Sequence, residues 1–344
     1  MTEVKEGAAG PGSGEGGVTG WQEWIGDLRR GAGYDVLATG VVYLLFVIVT
    51  AVFVITAPSF ATAASLRAIG ADFAPICVIS VGMTFVILCA EIDLSVASTV
   101  SLAGLVGAVV LSYAGVPWPV GVLTSLAIGA GVGLINGFIV GYLGVPSFLV
   151  TLGTLEAIGA IALMATGTLS IPITSPGFLA TFGPGSFAGI PLDVWWAILV
   201  IVVAVYVLHF TAFGKWVYTV GDSRLAAKYA GLSKARILLI VLVVSGVLAA
   251  FGGVLLAGRV TAGDPTAGTD LELTAIAAVI LGGTDLFGGK GTIIGTVIGA
   301  LFLSIIQDGL VLFGLSAQVL TLVTGSIIVL VVMVNAIANG SLKQ

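Results

Sequence analysis

The sequence predicts an all-α, polytopic membrane protein of about ten transmembrane helices, some of them short or broken. Three observations carry that prediction. Apolar residues make up 58% of the 344 residues and charged residues only 8%, against about 25% charged in soluble domains. The mean hydropathy is +1.20. Apolar runs of about 20 residues, the length that crosses a hydrocarbon core of about 30 Å, recur along the chain.

The first 20 residues, MTEVKEGAAGPGSGEGGVTG, hold no apolar run and are expected to be disordered. Trp21, Trp24, Arg29 and Arg30 follow as a short interfacial segment. Residues 1–33 are therefore read as a Gly-rich cytoplasmic tail with an interfacial segment, and 34–340 as a single transmembrane domain. Spans are expected near 36–56, 73–90, 95–112, 119–136, 148–168, 194–212, 237–257, 270–283, 292–312 and 318–338. Ten crossings place both termini on one side. With those ends inside, Lys5, Arg29, Arg30, Lys215, Arg224, Lys228, Lys234, Arg236, Lys290 and Lys343 are cytoplasmic, leaving Arg67 and Arg259 outside. This distribution fixes the expected orientation.

The 50 glycines predict close helix packing, because small residues let backbones approach in lipid. Two stretches predict helix breaks instead. In Val86–Ser95, VILCAEIDLS, Glu91 and Asp93 follow directly on an apolar span. In Val279–Lys290, VILGGTDLFGGK, Gly282, Gly283, Gly288 and Gly289 make a continuous helix improbable. The shared VIL start is a candidate trace of an internal repeat. Glu91 and Asp93 are either an ion relay or groups that cap and brace a helix break, and bracing is favoured.

Between the sixth and seventh spans, YTVGDSRLAAKYAGLSKAR is polar and basic. This loop, 213–236, is expected on the cytoplasmic face. Asp222 to Leu232 reads as a short helix, capped by Asp222 or Ser223 and ended by Gly231, that meets a soluble partner. On the outer side, Leu169–Val194 is long, rich in Pro and Gly, and carries Phe178, Phe182 and Phe187. It is either a docking surface or a lid.

Some chemistries are excluded. One His and two Cys twelve positions apart assemble no metal cluster, and Cys77 and Cys89 read as small buried hydrophobes. No phosphate-cradling G-x-x-x-x-G-K-[ST] loop occurs, and the charge pattern suggests no nucleic acid.

Four ordered segments then coincide with one family: CAEIDLSVASTVSLAG (89–104), NGFIVGYLGVPSFLVTLGT (136–154), VGDSRLAAKYAGLSKARI (220–237) and ELTAIAAVILGGTDLFGGKGTIIGTVIGA (272–300). Over roughly residues 40–338 the chain resembles the membrane permease subunit of ribose-type (monosaccharide) ATP-binding-cassette importers. It departs from the family at Ala90, where Gly is usual, at Asp222, and at Asp308 before Gly309. The resemblance implies a translocation path for a small polar solute in a bacterial inner membrane. It implies no catalysis and no cofactor in this chain, with ATP and Mg held by a partner ATPase. An extracytoplasmic solute-binding protein and a second permease copy or paralogue are the other implied partners. Gly221, Asp222, Ala226, Ala227 and Gly231 are the implied coupling residues. Asn136, Phe148, Thr151 and Thr154 are candidates for the path, each equally open to a packing or capping role. The alternative is an ion-coupled secondary transporter using Glu91 and Asp93. An intramembrane enzyme lacks a convergent catalytic set, and a purely structural scaffold leaves the helix breaks unexplained.

Overall fold

The computed structural model describes residues 43–315, together with 319, 321–323, 325–326, 329 and 333. The tail 1–33 and most of the span expected at 318–338 lie outside the described residues. The described chain is predominantly helical. Its elements are α1 (Tyr43–Thr56), α2 (Ala63–Leu88), α3 (Val96–Tyr113), α4 (Trp118–Tyr142), α5 (Ser147–Thr166), α6 (Pro176–Phe182), α7 (Leu192–Phe210), α8 (Ala212–Asp222), α9 (Arg224–Tyr229), α10 (Lys234–Val260), α11 (Leu271–Leu281) and α12 (Ile293–Leu312). Four two-residue strands, β1 (Ile171–Pro172), β2 (Ser186–Phe187), β3 (Ile190–Pro191) and β4 (Ala262–Gly263), tie loops together.

Among the described residues, seven helices are long and apolar enough to cross a membrane: α2, α3, α4, α5, α7, α10 and α12. The helix α2 is the hub, buried almost continuously from Phe73 to Leu88 and packed by α10, α12, α7 and α11. It begins at Ala63, ten residues before the hydropathy pattern suggests. Thr62 caps it by accepting from the Ser65 N–H, and Arg67 and Asp72 lie on its first turns. Those charges interrupt an apolar window but not a helix. Arg67 Nε donates to Gly189 O at 3.2 Å, and Arg259 of α10 pairs with Asp72.

The helix–helix contacts follow the glycines. On α4, Gly129, Gly133, Gly137 and Gly141 recur every four residues and form one stripe. A Cβ at any of the four would strike α10 backbone, at Gly246, Leu242–Val243, Leu239 and Ala235 in turn. Gly104 and Gly253 bring α3 equally close to α10, and Gly282 and Gly295 do so for α11 and α12. Association in lipid rests on such contact, since burying apolar surface from lipid gains little.

The loop between α5 and α7 is folded rather than open. β1 pairs antiparallel with β4, and β2 with β3. The helix α6 buries Phe178 and Phe182 against an aromatic cluster with Trp118, Trp196 and Phe251, while Phe187 stays 66% exposed.

Candidate coupling and bracing site

At the end of the bundle that carries the basic loop, the chain forms two helices where the sequence suggests one. α8 runs to Asp222, and Ser223, not Asp222, caps α9 by accepting from the Ala226 N–H at 3.2 Å. Ser223 is extended (φ −152°), so helicity stops for one residue and the chain turns. α9 ends at Tyr229, short of Leu232, and Gly231 continues in the left-handed region at φ +71°. Ala227 and Gly221 face the bundle, whereas Asp222, Ala226, Gly231, Leu225 and Tyr229 face outward.

The two VIL segments end their helices in the same turn. Glu91 N donates to Val86 O at 3.2 Å and Ala90 N to Ile87 O at 2.8 Å. Thr284 N donates to Val279 O at 3.2 Å and Gly283 N to Ile280 O at 2.9 Å. Each is a Schellman closure, which requires its fifth residue in the left-handed region. Those residues are Ala90 (φ +57°) and Gly283 (φ +85°). The α11–α12 connection continues through Gly288, Gly289 and Gly291, all at positive φ. A left-handed Ala costs about 1–2 kcal/mol. Ala90→Gly is expected to raise thermal stability by up to about 1 kcal/mol, less than the full relief because Gly also loosens the unfolded chain. Thermal unfolding of purified protein in detergent measures this.

The two turns touch. Gly289 N donates to Leu88 O at 3.0 Å, and a Cβ on Gly288 would lie 2.8 Å from Ala90. The last turn of α8 completes the junction: a Cβ on Gly221 would overlap Leu88 O, and one on Gly289 would lie 2.8 Å from Asp222 Cα. Tyr218 on α8 donates its hydroxyl to Gly291 O at 2.7 Å, and burial pushes its phenol upward from the usual range. Three backbone segments therefore meet almost without intervening side chains.

Glu91 and Asp93 serve different partners. Glu91 Oε1 lies 3.3 Å from Arg224 Nη2 and 3.5 Å from Lys234 Nζ, tying the first break to α9 and to the start of α10. Arg224 is 60% exposed, so this pair is worth about 0–1 kcal/mol. Asp93 is buried. It accepts from Ser95 N at 3.1 Å, Ser95 Oγ at 2.6 Å and Ser245 Oγ at 2.7 Å. The chain of bonds continues, with Asn136 Nδ2 donating to Ser95 Oγ at 2.8 Å and Thr154 Oγ1 to Asn136 Oδ1 at 2.7 Å. Thr151 Oγ1 donates to Ile92 O at 3.2 Å, and Ile92 N to Ser147 Oγ at 3.1 Å. One acidic residue thus joins α3, α4, α5 and α10 around the first break. A fully satisfied buried network of this kind specifies geometry and rigidifies it.

The path candidates divide accordingly. Asn136 and Thr151 are buried inside this network, Thr154 is half-buried at its edge, and Phe148 is 49% exposed on the outer face of α5. Sequence reading did not single out Ser95, Ser147, Ser245 or Tyr218. Serines inside apolar spans carry a weak signal, because most satisfy themselves on the preceding turn.

The fold and this site define a class: a polytopic transport permease that holds two adjoining broken helices against a basic loop. The chain belongs to the family described as branched-chain amino acid transport system / permease component, whose model matches residues 65–334. It is 38% identical over 264 residues to the ribose import permease protein RbsC of Escherichia coli (strain K12), covering 75% of this chain and 81% of that one. It is 33% identical over 304 residues to the L-arabinose ABC transporter permease protein AraH of Azospirillum brasilense, covering 88% and 89%. The RbsC of Bacillus subtilis (strain 168) is 35% identical over 261 residues, covering 75% and 80%. No solved structure matches the chain. The chain is thus a permease component of a sugar-type ATP-binding-cassette importer.

Proposed function

We propose that this chain forms the path by which a monosaccharide, a pentose such as ribose or arabinose first among them, enters a bacterial cell across the inner membrane. A separate ATPase binds ATP and Mg and supplies the work. An extracytoplasmic binding protein delivers the solute, and a second copy or a related permease completes the channel. The chain makes ten crossings with both termini cytoplasmic, within one domain over 34–340. In this reading Gly221 and Ala227 seat the coupling segment on the bundle, while Asp222, Ala226 and Gly231 face the ATPase. Glu91, Asp93, Asn136, Thr151 and Thr154 brace the first break.

One observation carries the reading. α9 presents Leu225 (60% exposed) and Tyr229 (83% exposed) one turn apart, on a segment whose other side is locked to both helix breaks. An apolar pair held out from a polar, basic surface is a docking feature, and a push on it reaches both breaks through backbone contact. The test is uptake of labelled D-ribose, L-arabinose and L-leucine by cells that carry the chain with its ATPase and binding protein. Leu225→Ala/Tyr229→Ala is expected to insert normally yet to lower sugar uptake about tenfold or more, as loss of apolar anchors at an interface centre does. Uptake of leucine without sugar would overturn the monosaccharide assignment. Unchanged uptake in the double variant would remove α9 from the docking surface.

A further inference from the structure

A second polar feature lies apart from the junction. Glu156 sits midway along α5, where a carboxylate facing lipid is costly and one facing a water-filled cavity is not. It does face a cavity. A cleft of about 380 Å³ opens between α3, α5 and the segment that leads into α11, with Ser98, Ser101, Glu156, Thr269, Asp270 and Glu272 on its walls. That volume falls within the range of small-molecule sites, about 300–1,000 Å³.

The backbone is arranged around this cleft. After β4 the chain descends without helix along α3: Gly263 packs on Gly104 and Leu105, and Gly268 on Ala97, with Gly268 N donating to Ser101 Oγ at 2.9 Å. Helix resumes only at Leu271, after Asp270 in the left-handed region at φ +64°. Irregular backbone at membrane depth is tolerated where protein buries it or where it lines a cavity. A left-handed aspartate stores strain of a kind that clusters at ligand sites. The buried Oε2 of Glu272 has no hydrogen-bond partner among the described residues, and such an acceptor is costly until something donates to it.

We propose that this cleft is a station on the translocation path, where Glu156, Asp270 and Glu272 accept hydrogen bonds from the hydroxyl groups of a neutral polyhydroxylated solute. The assignment rests on the sugar-permease reading and adds to it the residues that hold the cargo. The chemistry selects the class of solute. Carboxylates only accept, and the hydroxyls of a sugar all donate. Three carboxylates repel an anion. No group of three acidic, His or Cys side chains among the described residues converges on one point, as a bound metal ion would require. Ser98, Ser101 and Thr269 lie between the carboxylates and supply groups that both donate and accept.

The test uses the whole transporter in membranes. Glu156→Gln and Glu272→Gln are each expected to lower D-ribose or L-arabinose uptake about tenfold, because each loses a charge-assisted bond, with membrane insertion unchanged. Cys77 and Cys89 are buried, so Glu156→Cys adds one accessible thiol. A membrane-impermeant methanethiosulfonate reagent is expected to modify it, and the transported sugar to slow that modification severalfold. Wild-type uptake in both Gln variants overturns the proposal, as does a Glu156→Cys thiol that the reagent never reaches or that the sugar never protects. Should Glu272→Gln fail to insert, Glu156→Gln and the labelling decide. If the wild-type transporter imports neither sugar, the monosaccharide reading falls. The labelling, repeated with the solute that is imported, then still decides whether this cleft is the path.

Discussion

Asp93→Ala is expected to abolish ATP-driven uptake and to reduce the amount of folded protein recovered from membranes. The carboxylate accepts from one backbone N–H and two hydroxyls, on Ser95 and Ser245. Removing it leaves those donors buried without an acceptor, at about 1–3 kcal/mol each. It also releases the loop that positions the start of α3. Asp93→Asn keeps an oxygen for Ser95, and the Ser245 hydroxyl can turn to accept from the new amide. The Asn variant should therefore retain transport within about tenfold of the wild type. On the bracing role proposed for Asp93, the pH profile of this variant should be unchanged. Uptake rates between pH 5 and 8 for the two variants check this. A shifted profile in Asp93→Asn would assign it to ion coupling, and full activity in Asp93→Ala would remove the bracing role.

Gly221→Val should give a comparable loss of transport with a different signature. A Cβ at this position overlaps the Leu88 carbonyl oxygen and comes within 2.8 Å of Gly289 N, and neither backbone atom can rotate away. Overpacking of this kind costs about 1–3 kcal/mol. The site lies at the end of the bundle beside the basic loop, so the spans should still insert. Expected results are normal membrane levels, loss of uptake, and ATP hydrolysis by the partner that no longer responds to loaded binding protein. Gly289→Val should behave alike, because it also forces φ +75° on a β-branched residue. Gly131→Ala is the control, since a Cβ there meets nothing within 4 Å. Parallel measurement of uptake and ATPase rate in reconstituted vesicles separates uncoupling from misfolding. Coupled transport in Gly221→Val would refute the junction.

Most of the spans were legible because hydropathy reports the requirement that a bilayer imposes. The second helix break was legible for a related reason, since four glycines in eight residues disfavour a continuous helix whatever surrounds them. Less legible was whatever depends on a partner distant in sequence. Arg67 and Asp72 mark the end of an apolar window, yet α2 passes through both because Gly189 and Arg259 receive them. The short α11 reads as a weak span, whereas it is a half-length helix preceded by a run of turns that descends along α3. Asp222 and Ser223 are equivalent caps by type, and only the extended backbone at Ser223 separates them. Ala227 and Ala226 are identical residues that face opposite ways. Glu156 carried a signal that hydropathy averages away: a lone carboxylate amid α5 scarcely alters the mean of its window, although its cost at that depth calls for a polar surrounding such as the cleft it lines.

The glycine stripe on α4 bears on how the chain can be made. Its counterpart is α10, which leaves the ribosome only after α5 to α9 have been synthesised. Until then the stripe is a shallow furrow with no side chains of its own, open to lipid tails. In the folded chain the atoms nearest Gly129, Gly133, Gly137 and Gly141 all belong to α10. Synthesis order and packing order therefore differ. α4 is an early arrival that waits, and the bundle closes only when a late helix slides its backbone into the furrow.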